Sequence, residues 1–178
     1  MEKEIAEANV AVLLSIIPKS FAVYGTALGF VREGGVISHD QDTDIGIFSD
    51  DFSWDFITRA IGHGFQIISI YGMRHHGLEI SLRREGVKTD IMLFYREGDK
   101  VWNSLWDNGC RHGLADEIRH EYNCHVFKTI TVKLKNNGVN LASLGEEYLE
   151  EVYGKDWRVP VREWDWRTSH KCIKKYEK

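Results

Sequence analysis

The feature of this sequence that most restricts its fold is DQDTDIGIF, residues 40–48, in which aspartates directly precede an apolar run. In an extended chain, residues two apart point to the same face, so Asp42 and Asp44 would stand side by side. Aspartate is disfavoured in strands, and a charge beside a buried sheet needs a partner or a metal ion. No lysine or arginine occurs between residues 33 and 58. The segment therefore predicts a buried strand over 44–48 that begins at a cation site.

A third aspartate, Asp90, leads a second apolar run in KTDIMLFY, residues 88–95. Carboxylate oxygens are preferred ligands of Mg²⁺, and this ion keeps open positions for substrate phosphates. A pair of such ions clamps the attacking and leaving oxygens of a phosphoryl displacement. We therefore predict that Asp42, Asp44 and Asp90 are catalytic residues that bind Mg²⁺ or Mn²⁺, with two ions in the site.

The turn YGTALG, residues 24–29, precedes these aspartates and leads into a helix predicted over 26–33. Backbone N–H groups at a glycine-flanked turn of this kind can bind phosphate. Taken alone, the acidic loop is better explained as a surface turn, because aspartates form local hydrogen bonds there. The combination of the glycine turn, the acidic loop and Asp90 favours a site that handles phosphate.

The periodicity of the remaining segments predicts an α+β fold, with a mixed sheet and helices against one face. We predict a single domain over residues 1–178, which begins with a helix inside 1–18 and ends with a basic tail over 168–178. Further helices are predicted over 52–64 and 143–154. Further strands are predicted over 21–24, 65–71, 78–84, 88–95 and 127–134.

Charge and composition narrow the class of protein. A net charge of −4 provides no basic field for nucleic acid, so no nucleic-acid partner is expected. No apolar stretch reaches the roughly 20 residues that cross a bilayer, and acidic residues precede the apolar amino-terminal run, which argues against a secretory signal. Three cysteines do not suggest a disulfide framework, which indicates a reducing compartment. We expect a cytoplasmic protein without a membrane span.

The segment GTALGFVREGGVISHDQDTDI resembles the signature of the LicD/fukutin-related family of the nucleotidyltransferase superfamily, approximately G-T-L-L-G-x-x-R followed by I-P-W-D-D-D-I-D. The matching positions are Gly25, Thr26, Leu28, Gly29, Arg32, Ile37, Asp40, Asp42 and Asp44. The lone aspartate of KTDIMLF and the ending EEYLEEVYGKDWRVP are also similar to the family pattern. The resemblance extends from about residue 20 to about residue 160.

This resemblance implies a nucleotidyltransferase-like mixed sheet and metal-dependent transfer of a phospho-alcohol, either phosphocholine or a polyol phosphate. The donor would be a CDP-activated alcohol, the acceptor a glycan hydroxyl and the released product CMP. In this mechanism Gly25 and Thr26 bind the diphosphate, and Asp40 organises the loop. Arg32 has two equally weighted roles, one as a ligand of a phosphate oxygen and one as an ion-pair partner of Asp40 or Asp44.

Two rival functions remain open from the sequence. A true nucleotidyltransferase would use the same carboxylates to move NMP from an NTP to a small molecule or protein, and an inactive binding module would keep only the fold. A structural Zn²⁺ site is a further hypothesis. Its candidate ligands are Cys110, His112, His120, Cys124 and His125. The alternative, that these residues are ordinary buried cysteines and surface histidines, is favoured over it.

Overall fold

The computed structural model describes residues 2–107, 115–161 and 163–174. Five helices lie in this part of the chain: α1 (Lys3–Ile16), α2 (Tyr24–Glu33), α3 (Trp54–Gly62), α4 (Glu146–Tyr153) and α5 (Trp166–Ser169). The strands described are β1 (Phe21–Ala22), β2 (Asp42–Phe48), β3 (Gln66–Met73), β4 (His76–Arg84), β5 (Val87–Glu97), β6 (Lys100–Asp107), β7 (Asp116–Asn123), β8 (Thr129–Lys133) and β9 (Asn140–Leu144). This content confirms the α+β prediction.

The strands form one mixed sheet in the order β3-β4-β5-β2-β1-β9-β8. Strand β2 is parallel to β5, and β1 is parallel to β9, whereas the other pairs are antiparallel. The last residues of β5 leave this order and pair with β6, which pairs in turn with β7. The parallel β2–β5 pair lies at the centre, and this pair positions the candidate site.

Strand β2 is central because its apolar residues alternate with residues that leave room for neighbours. Ile45 and Ile47 are fully buried in the core. Between them, Gly46 lies against aromatic rings, and a Cβ atom there would be 2.6 Å from a ring carbon of Phe94. Helix α1 packs against β2 and β5 through its apolar stripe, which includes Val10 and Leu13. The site therefore stands on a rigid, packed support.

Three strands were not predicted from the sequence, namely β6, β7 and β9. Strand β6 carries polar residues on its buried side, which hides the usual alternation. The amide oxygen of buried Asn103 has its partners across the fold, because Oδ1 accepts hydrogen bonds from the hydroxyls of Tyr24 and Tyr122 at 2.9 and 3.0 Å. Those partners are distant in sequence, so no local pattern announces that a polar residue belongs inside.

The segment predicted as a basic tail begins inside the folded structure. Cys172 is buried, and Ile173 forms an antiparallel bridge with His120. The Cys172 carbonyl accepts a hydrogen bond from the Glu121 N–H at 2.9 Å, so residues 171–174 extend the sheet beside β7. Residues 175–178 lie outside the described part. Of the helices described, none is long and apolar enough to cross a bilayer.

Candidate active site

The parallel pairing of β2 and β5 brings the three predicted aspartates to one place. Asp44 stands beside Asp90 in the register, and Asp42 stands beside Lys88. Residues two apart on a strand share a face, so all four side chains project from the same side of the sheet. Asp90 is 4% exposed, whereas Asp42 and Asp44 are half-buried. The structure therefore brings Asp42, Asp44 and Asp90 together, as the strand patterns predicted.

Lys88 provides a positive charge that the sequence analysis did not assign to the site. Its Nζ lies 2.7 Å from Asp90 Oδ2 and 3.3 Å from Asp42 Oδ2. Burial lowers the pKa of Lys88, but the charges of Asp90 and Asp42 outweigh this effect and raise its pKa overall. Lys88 is therefore a firmly charged group between two carboxylates, and it is delivered from the neighbouring strand rather than from the acidic loop.

Glu79 is a fourth acidic residue at the site, and the sequence analysis missed it. It lies on β4 opposite Met92 of β5, which places it on the same face as Asp90. It is 6% exposed, and its Oε2 is buried without a hydrogen-bond partner in the described structure. The available signal was a charge inside the apolar strand LEISL, the same signal that identified Asp90.

Burial, and secondarily the charges of neighbouring carboxylates, raises the pKa values of Asp44, Asp90 and Glu79. Burial raises the pKa of Asp44 well above its usual range, and the charges of Asp42 and Asp90 raise it further. Burial also raises the pKa of Asp90, although Lys88 opposes the increase. The pKa of Glu79 rises to about 8, mainly because of burial and secondarily because of Asp90. One lysine therefore leaves the acidic cluster with too little positive charge.

These side chains line an open cavity of about 260 Å³ that has aromatic walls. The lining residues are Tyr24, Gly25, Asp40, Asp42, Asp44, Glu79, Lys88, Asp90, Met92, Leu105, Trp106, Tyr153, Trp164, Trp166 and His170. Trp106 is held in place because its indole N–H donates to the Gly77 carbonyl at 2.8 Å. The cavity thus combines a charged floor with flat apolar surfaces, a combination typical of sites for small polar ligands.

The first turn of α2 forms one edge of this cavity. The helix begins at Tyr24, two residues earlier than predicted, in a left-handed conformation with φ of 44°. Tyr24 and Gly25 both line the cavity, and a Cβ atom at Gly25 would be 2.9 Å from Asp40 Oδ2. No side chain caps this helix start in the described structure. A helix amino terminus is partly positive, so this edge suits an anionic group.

Thr26 and Arg32, predicted to bind substrate, lie next to this cavity and are not among its lining residues. The Thr26 hydroxyl accepts a hydrogen bond from the Asp44 backbone N–H at 2.7 Å, so Thr26 positions β2 and does not line the cavity. Arg32 donates to the Glu33 carboxylate at 2.9 Å and to the Trp157 carbonyl at 3.5 Å. Arg32 lines an adjoining cavity of about 170 Å³. Within the described residues, neither predicted carboxylate partner of Arg32 forms an ion pair with it.

The acidic cluster suits a divalent cation in its chemistry. Asp90 Oδ1 is buried without a hydrogen-bond partner in the described part, and hard oxygen ligands are those that Mg²⁺ prefers. The described residues contain no three Asp, Glu, His or Cys side chains that already converge on one metal position. Lys88 instead lies within salt-bridge distance of both Asp42 and Asp90. The ammonium group and a metal ion would therefore compete for the same oxygens.

The zinc hypothesis stays a prediction, since Cys110 and His112 lie outside the described residues. His120 is occupied elsewhere, because its Nε2 lies 3.1 Å from His170 Nδ1. Cys124 is an exposed free thiol.

Comparison with known proteins places this geometry in a family context. Residues 19–123 match the family LicD/FKTN/FKRP, nucleotidyltransferase domain. The chain is 32% identical over 146 residues to the ribitol-5-phosphate transferase FKTN of Mus musculus and 30% identical to that of Homo sapiens, in each case over 82% of this chain. It is 27% identical over 161 residues to an uncharacterized protein of Caenorhabditis elegans, over 85% of this chain and 41% of that protein. The chain spans 30% of the length of the two transferases.

Proposed function

The chain belongs to the LicD/FKTN/FKRP family of nucleotidyltransferase domains, and on this premise we propose that it transfers a phospho-alcohol from a CDP-activated donor to a glycan hydroxyl, releasing CMP. The first donor to consider is CDP-ribitol, because the FKTN relatives are named ribitol-5-phosphate transferases. CDP-choline is the second, since phosphocholine is the other alcohol that the family pattern implies.

The observation that carries the proposal is the convergence of Asp42, Asp44 and Asp90 at one cavity. These residues come from two strands and are brought into register by β2–β5 pairing. A purely structural sheet gains nothing from three carboxylates on one face, because their mutual repulsion costs stability. Within the described residues, Asp90 Oδ1 also has no hydrogen-bond partner. An acidic site held in this way is a functional-site candidate on physical grounds.

Asp42, Asp44 and Asp90 would hold Mg²⁺ or Mn²⁺. The bound ions would neutralise the donor diphosphate and lower the pKa of the acceptor hydroxyl.

The chain's own residues would orient the donor. Lys88 carries a positive charge at the cavity, and Gly25 exposes the first turn of α2, so both favour the diphosphate there. The aromatic side chains Trp106, Trp164 and Trp166 line the cavity with apolar surface that would limit the access of water to the bound donor. Thr26 acts indirectly, because its hydrogen bond to the Asp44 N–H fixes the strand that carries two of the carboxylates.

The transfer is an in-line displacement at the phosphorus atom that bears the alcohol. The oxygen of the glycan hydroxyl forms a bond to this phosphorus, and the bond from the phosphorus to the CMP oxygen breaks. CMP leaves as an anion, and the hydroxyl proton passes to the Asp90 carboxylate.

The proposal is tested by incubating the protein with Mg²⁺ and a panel of CDP-ribitol, CDP-glycerol, CDP-choline and NTPs, with a glycan acceptor. Release of CMP from a CDP-alcohol is the expected result. The Asp90→Asn variant should lose activity by about 10²–10⁴-fold, the range for a lost acid–base group, while its fold is retained.

Asp50→Asn is the matched control, because Asp50 has an 81% exposed side chain and does not line the cavity. It should keep wild-type activity. Near-wild-type turnover by Asp90→Asn would refute the assignment of Asp90. Pyrophosphate from an NTP, without CMP from any CDP-alcohol, would identify the rival nucleotidyltransferase activity. Failure to bind Mg²⁺ or Mn²⁺, with no turnover of any nucleotide, would identify an inactive binding module.

A further inference from the structure

His170 is a cavity residue that neither the motifs nor the matched family segment includes. It lies beyond residues 19–123, in the segment that packs beside β7. Its ring is 6% exposed and stacks on Tyr24, with ring centroids 5.2 Å apart and planes 12° apart. Tyr153 and Trp164 also contact the ring. The imidazole is therefore held in one orientation at the cavity wall.

The hydrogen bonds of His120, behind His170, assign the proton positions. His120 Nδ1 lies 3.2 Å from the carbonyl oxygen of Ile118. A carbonyl oxygen only accepts, so Nδ1 must carry the hydrogen. Burial lowers the pKa of His120 to about 4, which keeps the ring neutral near pH 7. The other nitrogen, Nε2, is therefore an acceptor.

This acceptor sets the tautomer of His170. His120 Nε2 lies 3.1 Å from His170 Nδ1, so His170 Nδ1 is the donor and carries the hydrogen. Burial, together with the neighbouring His120, lowers the pKa of His170 to about 3, so this ring is neutral as well. Its Nε2 is then an unprotonated acceptor. No described residue forms a hydrogen bond with that atom, and the ring lines the cavity.

We propose that His170 Nε2 accepts a hydrogen bond from a free hydroxyl on the alcohol portion of the donor. His170 then selects polyol phosphates over phospho-alcohols whose alcohol portion carries no free hydroxyl. The inference rests on the proposed function, and it names a residue that distinguishes between the two donors considered above. The alcohol of CDP-ribitol carries free hydroxyls, whereas phosphocholine carries none. His170 Nε2 is a fixed acceptor and therefore favours CDP-ribitol, because it has no hydroxyl partner when CDP-choline binds.

Two variants separate this role from a structural one. His170→Asn keeps an amide N–H group near the position of Nδ1, so it can still donate to His120, but it lacks an atom at Nε2. His170→Gln extends an amide oxygen toward the position of Nε2 and should restore part of the effect. Thermal unfolding of both variants establishes that they are folded.

The first measurement is the Kd of wild-type and variant proteins for CDP-ribitol and CDP-choline, by calorimetry. His170→Asn should bind CDP-ribitol about tenfold more weakly and CDP-choline with little change, because a tenfold loss corresponds to about 1.4 kcal/mol, near the value of one hydrogen bond. His170→Gln should recover part of the preference. An equal loss for both donors would overturn the inference, since the cytidine, the diphosphate and any general distortion are common to both.

The second measurement uses wild-type protein with ¹⁵N-labelled histidine, and therefore does not depend on whether a variant folds. In the free protein, NMR should show His170 protonated at Nδ1 and bare at Nε2. Addition of CDP-ribitol should shift the Nε2 resonance, and addition of CDP-choline should not. A proton on Nε2 in the free protein, or no response to bound CDP-ribitol, would overturn the inference while leaving the proposed function intact. Failure of wild-type protein to bind any CDP-alcohol would refute both.

Discussion

Replacement of Lys88 by methionine tests whether the acidic cluster is short of positive charge. Methionine keeps an unbranched apolar side chain and removes the ammonium group. Asp90, with a side chain 6% exposed, then loses the partner at 2.7 Å. Asp42 loses a more distant contact at 3.3 Å and has a side chain that is 40% exposed, so most of the cost falls on Asp90.

The size of the effect follows from the burial of the two partners. Removing one member of a fully buried pair costs about 3–5 kcal/mol, whereas an exposed pair contributes about 0–1 kcal/mol. Lys88 is 36% exposed and lies between these limits. The cost has an upper limit, because Asp90 can become protonated instead of remaining an unpaired buried charge. Protonating an aspartate of ordinary pKa at pH 7 costs about 4 kcal/mol, at 1.36 kcal/mol for each pH unit above its pKa. We expect a loss of about 2 kcal/mol.

Differential scanning fluorimetry provides the measurement. For a domain of this length, a loss of about 2 kcal/mol lowers Tm by about 4–8 °C. In EDTA, Lys88→Met should show this decrease. Saturating MgCl₂ should raise the Tm of the variant by more than that of the wild-type protein, because the ammonium group no longer competes for Asp42 and Asp90.

Lys128→Met is the matched control, because Lys128 pairs with Glu147 at 3.0 Å and both side chains are more than half exposed. It should change the free energy of unfolding by less than about 1 kcal/mol and should show the wild-type response to Mg²⁺. If Lys88→Met and the wild-type protein have the same Tm in EDTA, the stability of the acidic cluster does not depend on Lys88. If Mg²⁺ raises the Tm of Lys88→Met and that of the wild-type protein equally, the hypothesis that Lys88 and the metal compete is wrong.

Two further predictions concern stability. Gly46→Ala should cost about 1–3 kcal/mol in chemical denaturation, because the added Cβ meets Phe94 at 2.6 Å, whereas Gly62→Ala, with open space, should not destabilise; equal effects would contradict the packing argument. The lowered pKa values of His120 and His170, about 4 and 3, mean that the unfolded chain binds more protons below about pH 6.5. Wild-type stability should therefore fall relative to His170→Asn by about 1.4 kcal/mol per pH unit between pH 6 and 5, with the acidic cluster common to both proteins; a constant difference would contradict neutral buried rings.

Local sequence patterns were sufficient for the elements that carry the predicted ligands. Asp42 and Asp44 precede an apolar strand, and Asp90 precedes another, so each strand and its polar start could be recognised without tertiary information. The same was true of α1 and α4, whose apolar stripes have helical spacing. By contrast, β6 was missed because it carries a buried polar residue, Asn103, whose Oδ1 accepts hydrogen bonds from tyrosines in other parts of the chain.

By itself, the sequence determined the α+β class and the identity of three carboxylates, because both are written in short-range periodicity and in charges that interrupt it. Only the tertiary structure decided what surrounds those carboxylates. The β2–β5 register places Lys88 between Asp42 and Asp90, and the path of the last segment brings His170 to the cavity wall. These contacts join residues far apart in the chain, and their formation depends on how the whole sheet pairs, which no local pattern specifies.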